Sequence, residues 1–161
     1  MAYSALVNRH QDAVYNLAYR LCGNRTTAED LAQDAFIRAY TRLAQFRQDR
    51  SFRNWLLGIC AHLARSFHRK HFRQRLREET YTKEHVERAG DPADTTPERI
   101  DVEAALMKLP TSLRLPIVLK YMEGLSLEEI AATLGLRLSA VKMRIQRGRQ
   151  QMATALQEDT R

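Results

Sequence analysis

Ser126-Leu127-Glu128-Glu129-Ile130-Ala131-Ala132-Thr133-Leu134-Gly135-Leu136-Arg137-Leu138-Ser139-Ala140-Val141-Lys142-Met143-Arg144-Ile145-Gln146-Arg147-Gly148-Arg149-Gln150 is the stretch that decides the fold. Ser126 and Glu129 have capping-box spacing, in which the hydroxyl accepts the backbone N–H of Glu129 and the carboxylate reaches back. The short helix they open carries Ile130, Ala131 and Leu134 on one side. It stops at Gly135, a residue suited to the left-handed end of a helix. After Leu136-Arg137-Leu138, Ser139 can cap a second helix. Its apolar stripe is Val141, Ile145, Met152 and Leu156, with Gly148 filling the gap at helical spacing. The opposite face gathers Ser139, Lys142, Met143, Gln146, Arg147 and Gln150, with Arg149 at its edge. No carboxylate lies between Glu129 and Glu158, so nothing local neutralises that face. A short helix, a tight glycine turn and a one-sidedly basic helix are what major-groove readers present to DNA.

Charge is distributed unevenly along the chain. The chain has 161 residues and a net charge of +7, which favours a polyanionic partner. Residues 1–77 hold 14 Lys/Arg against 5 Asp/Glu, residues 78–98 hold 2 against 7, and residues 99–161 hold 10 against 7. Two basic blocks joined by an acidic strip imply two DNA-facing modules and a connector with a different task. No signal peptide and no apolar run near the ~18 residues of a membrane span is visible. Cys22 and Cys60 are too few for a disulfide scaffold and sit in apolar helical contexts, so reduced core thiols of a cytoplasmic protein are expected.

No segment alternates as a half-buried strand does, and the expected class is all-α. The first helix puts Tyr3, Leu6, Val7, His10, Val14, Leu17, Ala18 and Leu21 on one stripe and ends near Gly23. Thr26-Thr27-Ala28-Glu29 reads as a second capping box, opening a helix with Ala28, Leu31, Ala32, Ala35, Phe36, Ala39, Tyr40 and Leu43 inward. Ser51 can cap a long third helix with Phe52, Leu56, Ile59, Leu63 and Phe67 inward. From Glu78 the pattern gives way to a polar stretch containing Gly90, Pro92 and Pro97, read as a flexible linker with a short helical turn near Glu84–Arg88. Helices resume at Val102, break at Pro110 and run again from Ser112 to Met122. The expectation is two small helical domains, 1–77 and 99–161, joined by the acidic linker 78–98. Each supports only a marginal core and needs to lean on a partner for rigidity.

Two exposed faces stand out. At about 100° per residue, Asp30, Gln33, Asp34 and Ile37 share a narrow arc opposite the apolar stripe. Charges for steering around an apolar centre fit a protein-binding face. On the third helix Gly58, His62, Arg65, Ser66, Arg69 and Arg73 share a face, with Trp55 at its margin and Lys70 beside it. Cations for phosphates next to an aromatic suit single-stranded or melting DNA. A metal site from Cys60, His62, His68 and His71 is disfavoured because only His68 and His71 share a face. No cofactor is expected, and no catalytic arrangement sits on a pocket-forming loop, which argues against an enzyme.

These residues resemble the bacterial sigma-70 family, in its extracytoplasmic-function group. The first match is Ala28-Glu29-Asp30-Leu31-Ala32-Gln33-Asp34-Ala35-Phe36-Ile37-Arg38-Ala39-Tyr40, then Phe46-Arg47 and Phe52-Arg53-Asn54-Trp55-Leu56-Leu57-Gly58-Ile59. The second is Leu109-Pro110 with Arg114, Gly124-Leu125-Ser126-Leu127-Glu128-Glu129-Ile130-Ala131, Val141-Lys142-Met143-Arg144-Ile145 and Arg147-Gly148-Arg149. The resemblance covers nearly everything except residues 78–98. It implies a subunit that directs core RNA polymerase to promoters, with Asp30, Gln33, Asp34 and Ile37 on the β′ clamp helices and further contacts to the β subunit. It implies that Trp55, His62, Arg65, Ser66, Arg69, Lys70 and Arg73 open the −10 element of promoter DNA. Lys120, Ser139, Lys142, Met143, Gln146 and Arg147 would meet the −35 element. The linker would thread the polymerase cleft, and an anti-sigma factor would hold the protein inactive without membrane insertion by the chain itself. His62 and Ser66 stand where the family usually has Asn and Asp, and Ala140, Met143 and Gln146 where it usually has Thr, Ser and His or an aromatic. Base-edge contacts specify sequence, so an unusual promoter preference is implied. A helix-turn-helix regulator that never joins the polymerase is the rival, and residues 1–98 leave no room for its dimerisation or ligand domain.

Overall fold

The computed structural model describes residues 2–78 and 97–159, and every long element among them is a helix. The order is α1 Ala2–Cys22, α2 Arg25–Thr41, a 3₁₀ turn Leu43–Gln45, α3 Phe52–Glu78, α4 Pro97–Lys108, α5 Thr111–Tyr121, α6 Leu127–Leu134 and α7 Leu138–Asp159. Most of the acidic linker, with the turn expected near Glu84–Arg88, lies outside the described residues. Its two ends are helical, Glu78 closing α3 and Pro97 opening α4.

Local chemistry sets the boundaries. Ser126 accepts Glu129 N–H at 3.1 Å while the Glu129 carboxylate accepts Ser126 N–H, and Gly135 ends α6 at φ 66°. Ser51 Oγ takes Asn54 N–H at 3.2 Å, as expected. The capping box expected at Thr26–Glu29 does not form. Gly23 turns the chain at φ 73°, which leaves Asn24 extended with its side chain accepting Thr27 N–H at 2.9 Å, so α2 starts earlier. An Asn in that position satisfies an orphan N–H directly. Ser139 likewise does not cap α7, which begins one residue before it; Val141 N–H reaches the Arg137 carbonyl at 3.1 Å.

The first three helices pack as a bundle around Val14, Leu17, Leu21, Leu31, Ala35, Leu56, Leu57, Cys60 and Ala64. Cys60 lies in this core as a free thiol, pushed up to about 12 by burial. Tyr40, expected inward, is exposed, its ring edge-on to Tyr3 at 5.1 Å. Position 40 lies at the bundle's rim, where the α1 tyrosine covers only one side of it. The remaining helices pack α5 and α4 on α7. Gly148 permits close approach there, since a Cβ would fall 2.3 Å from Ile117 Cδ1.

Helix α5 is buried all round, from Leu113 through Leu119. A helix apolar on every side needs neighbours on every side. Here α6 and α7 cover one side, and α1 and α3 of the first bundle the other. The buried residues accordingly form one continuous core, from Val14 to Ile145. The two small units lean on each other.

Candidate polymerase and nucleic-acid interfaces

On α2 the spacing places its residues as expected. Asp30, Gln33, Asp34 and Ile37 are all exposed, and Ile37 leaves 61% of its surface in solvent. Ala28, Leu31, Ala32, Ala35 and Ala39 hold the opposite side in the core. Sequence periodicity did not foresee that Tyr40 extends this apolar centre beside Ile37.

On α3 the structure splits the expected face. Ser66, Arg69, Lys70 and Arg73 line a shallow groove of about 740 Å³ with Gln74 and Arg77. His62 is exposed one turn before Ser66. Partial burial and the neighbouring cations of Arg65, Arg69 and Arg42 hold His62 below the ordinary histidine range. Arg42 comes from the end of α2, a neighbour that only the fold supplies. Trp55 is half-buried in an aromatic cluster, 5.1 Å from Phe46 and 5.7 Å from Phe52, whose ring meets His10 at 5.7 Å. Its indole packs and lies outside the basic groove. Gly58 corrects the expectation: it is buried, with Thr133 of α6 against it, because a Cβ there would stand 3.0 Å from Thr133 Cγ2. Among the described residues, His68 and His71 of the weighed Cys60, His62, His68 and His71 set have partners of their own. His68 donates Nε2–H to the Leu21 carbonyl, and His71 stacks on Phe67 at 4.6 Å.

On α7, Lys142 and Gln146 join Lys120 of α5 in a groove of about 460 Å³, with Leu127, Ile145, Arg149, Gln150 and Ala153. Ser139, Met143 and Arg147 run along the neighbouring exposed strip, Met143 with 52% of its surface free. The Lys120 ammonium lies 5.1 Å from the Tyr121 ring centroid. Arg149, expected at the edge of the face, is a full member of this groove with Lys120 of α5. Buried Val141, Ile145 and Gly148 anchor the other side of the helix. A helix braced this way presents its cations and amides as a rigid unit to a groove edge.

The sequence named Arg114 without a structural task. It is 6% exposed and donates to four backbone carbonyls: Leu106 at 3.0 Å, Met107 at 2.9 Å, Leu109 at 2.7 Å and Leu21 at 2.7 Å. One guanidinium thus caps the C-termini of α4 and α1 together, and Leu21 accepts from both Arg114 and His68. A cation at helix C-termini meets both the orphan carbonyls and the dipoles.

Among the described residues no group of three potential metal-binding side chains occurs, and no helix is long and apolar enough to cross a membrane. Residues 6–74 match the family model for sigma-70 region 2, and residues 99–152 match that for sigma-70 region 4. The chain is 42% identical over 159 residues to the ECF RNA polymerase sigma factor SigE of Mycolicibacterium smegmatis, covering 94% of this chain and 60% of that protein's length. With the ECF RNA polymerase sigma factor SigW of Bacillus subtilis it is 33% identical over 175 residues, 98% of this chain and 90% of the relative. The structure of CnrH in complex with the cytosolic domain of CnrY superposes with a TM-score of 0.73 at 33% identity, over 98% of this chain and 89% of that one. The sigma factor RpoE of Bartonella quintana, in complex with the anti-sigma factor NepR, shares the fold, with a TM-score of 0.81 at 24% identity over 97% of each chain. Two matching regions in order, on an all-helical scaffold with separate basic grooves on α3 and α7, place this chain in the extracytoplasmic-function group of the sigma-70 family.

Proposed function

We propose that this chain joins core RNA polymerase, leads it to promoters and opens them. The carrying observation is that one chain exposes three distinct faces: an acidic face with an apolar centre on α2, and basic grooves on α3 and α7. A duplex-binding regulator has no use for the first. In this reading residues 1–77 form the unit that binds polymerase and melts DNA, residues 78–98 the linker, and residues 99–161 the unit that reads the duplex. Asp30, Gln33, Asp34 and Ile37 dock on the β′ clamp helices, and the β subunit supplies further contacts. Arg65, Arg69, Lys70 and Arg73 hold phosphates of the opened −10 strand, while His62, Ser66 and Trp55 border the extruded bases. Lys120, Ser139, Lys142, Met143, Gln146 and Arg147 meet the −35 duplex. The chain supplies no reacting group; it binds and positions in the cytoplasm, and catalysis stays with the polymerase. The relatives in complex with NepR and CnrY support an anti-sigma factor as a further partner.

The test is reconstitution with core polymerase. Run-off transcription and permanganate reactivity at −10 appear only when chain, core and promoter are combined. Reactivity induced by the chain alone, or no stable association with core, would overturn the proposal.

A further inference from the structure

We infer that Met143 and Gln146 together read a thymine–adenine element: Met143 covers the C5-methyl of a thymine, and the Gln146 amide pairs with an adenine edge beside it. This rests on the function proposed above and deepens it by naming the bases that the α7 face selects.

Met143 is the outlier of its helix. The other large apolar side chains of α7, Leu138, Val141, Ile145, Met152 and Leu156, are buried or half-buried, whereas Met143 leaves 52% of its surface in solvent. It stands in a polar strip with Ser139, Lys142, Gln146 and Arg147, all exposed. The helix cannot roll to hide it. Val141 and Ile145 are held in the core, and Gly148 lies so close to Ile117 that a Cβ there would fall 2.3 Å from Cδ1. An apolar tip on a fixed, basic face gains from a ligand that is polyanionic overall and apolar at one point.

Duplex DNA offers that combination in its major groove. The thymine C5-methyl is the apolar group on a surface that otherwise presents donors and acceptors. Cytosine lacks the methyl and offers an N4–H donor, for which a thioether is a poor acceptor. Adenine presents N7 and N6–H, the acceptor and donor that a glutamine amide matches with two hydrogen bonds. Met143 and Gln146 are three positions apart on the helix, which puts their Cβ atoms about 5–6 Å apart. At ~3.4 Å per base pair they reach the same pair or adjacent ones. The cations have another task. Lys120 and Arg149 line the groove that Lys142 and Gln146 share, and such groups hold phosphates and fix the register without reading sequence. The early part of a recognition helix is what meets base edges, and both residues lie in the N-terminal half of α7.

The test uses holoenzyme made from core polymerase and the full chain, with duplexes selected from a pool randomised at −35. The selected element should carry thymine. Each thymine is then replaced singly by deoxyuridine, which deletes the methyl and leaves base pairing and every hydrogen-bonding group intact. At one position closed-complex affinity should fall about fourfold, the factor that burying one methylene-sized group produces. Met143→Ser should bind the thymine and deoxyuridine duplexes equally, and Met143→Leu should keep the preference. Replacing the adenine by 7-deazaadenine should weaken wild type and Met143→Ser by about fivefold or more, yet leave Gln146→Ala unaffected. A selected element without thymine, deoxyuridine tolerated throughout, or methyl dependence surviving in Met143→Ser would each overturn the assignment. So would a Met143→Ser protein that loses core polymerase with its thymine preference unchanged, which would give Met143 to a protein surface instead. Failure of wild type to bind core or to enrich any element would sink the sigma function and the base assignment with it. An enriched element without methyl dependence sinks the base assignment alone.

Discussion

Arg114→Met removes the guanidinium while keeping most of the stem's volume, and so isolates the carbonyl clasp. Three of its four hydrogen bonds are buried, to Leu106, Leu109 and Leu21. A hydrogen bond from a charged donor contributes about 1.5–3 kcal/mol, and a buried acceptor left without a partner costs about 1–3 kcal/mol. The bonds do not add in full, because burial already disfavours the charged group: its pKa is lowered chiefly by desolvation. Replacing it relieves that cost once while stranding several carbonyls. Two stranded acceptors put the net loss at about 4 kcal/mol. For a chain of this size each kcal/mol lowers Tm by roughly 2–4 °C, so a fall of about 8–16 °C is expected. Arg114→Lys should fall between, since one ammonium has three donors and cannot span both helix ends. The assay is thermal unfolding followed by circular dichroism. A Tm within ~2 °C of wild type for Arg114→Met, less than one kcal/mol of loss would produce, would refute the idea that the clasp holds the helix ends.

Reversing Asp30 and Asp34 to Lys should abolish association with core polymerase at unchanged helical content, tested by pull-down; full-affinity binding would move the docking face elsewhere. Arg147→Ala or Gln146→Ala should relax −35 preference, each good base contact being worth roughly 1–3 kcal/mol. His62→Ala and Trp55→Ala should spare closed-complex binding and block melting, so altered −35 preference in either would mean the faces are misassigned. Gly135→Ala meets no neighbour within 4 Å and differs only in backbone strain at φ 66°, so it should cost about 1–2 kcal/mol. Chemical denaturation reads that cost directly. His68 has its pKa lowered, chiefly by burial, so on acidification the unfolded chain takes up the proton first. Stability is therefore full above the ordinary histidine value and falls as pH drops towards the lower folded one. His68→Gln should flatten that dependence in urea titrations at neutral and mildly acidic pH.

Local signals were enough for much of this protein. Ser126, Glu129 and Gly135 fix α6 wherever it sits, because their hydrogen bonds close within a few residues. Helical periodicity likewise told which sides of α2 and α7 face solvent, leaving Asp30, Asp34, Lys142 and Gln146 outward. Where two local solutions competed, sequence chose wrongly: Asn24 took the cap from Thr26 once Gly23 had turned the chain, and α7 began before Ser139. The placement of Gly58, Arg53 and Asn54 was beyond sequence for a different reason. Their partners Thr133, Glu123 and Glu129 lie 70 or more positions away, and a polar residue's own neighbourhood does not reveal which distant group will face it. Helix α5 is apolar from Leu113 through Leu119 apart from Arg114. Only the tertiary structure shows that α1 and α3 cover its second side, because burial is a property of what packs against a helix.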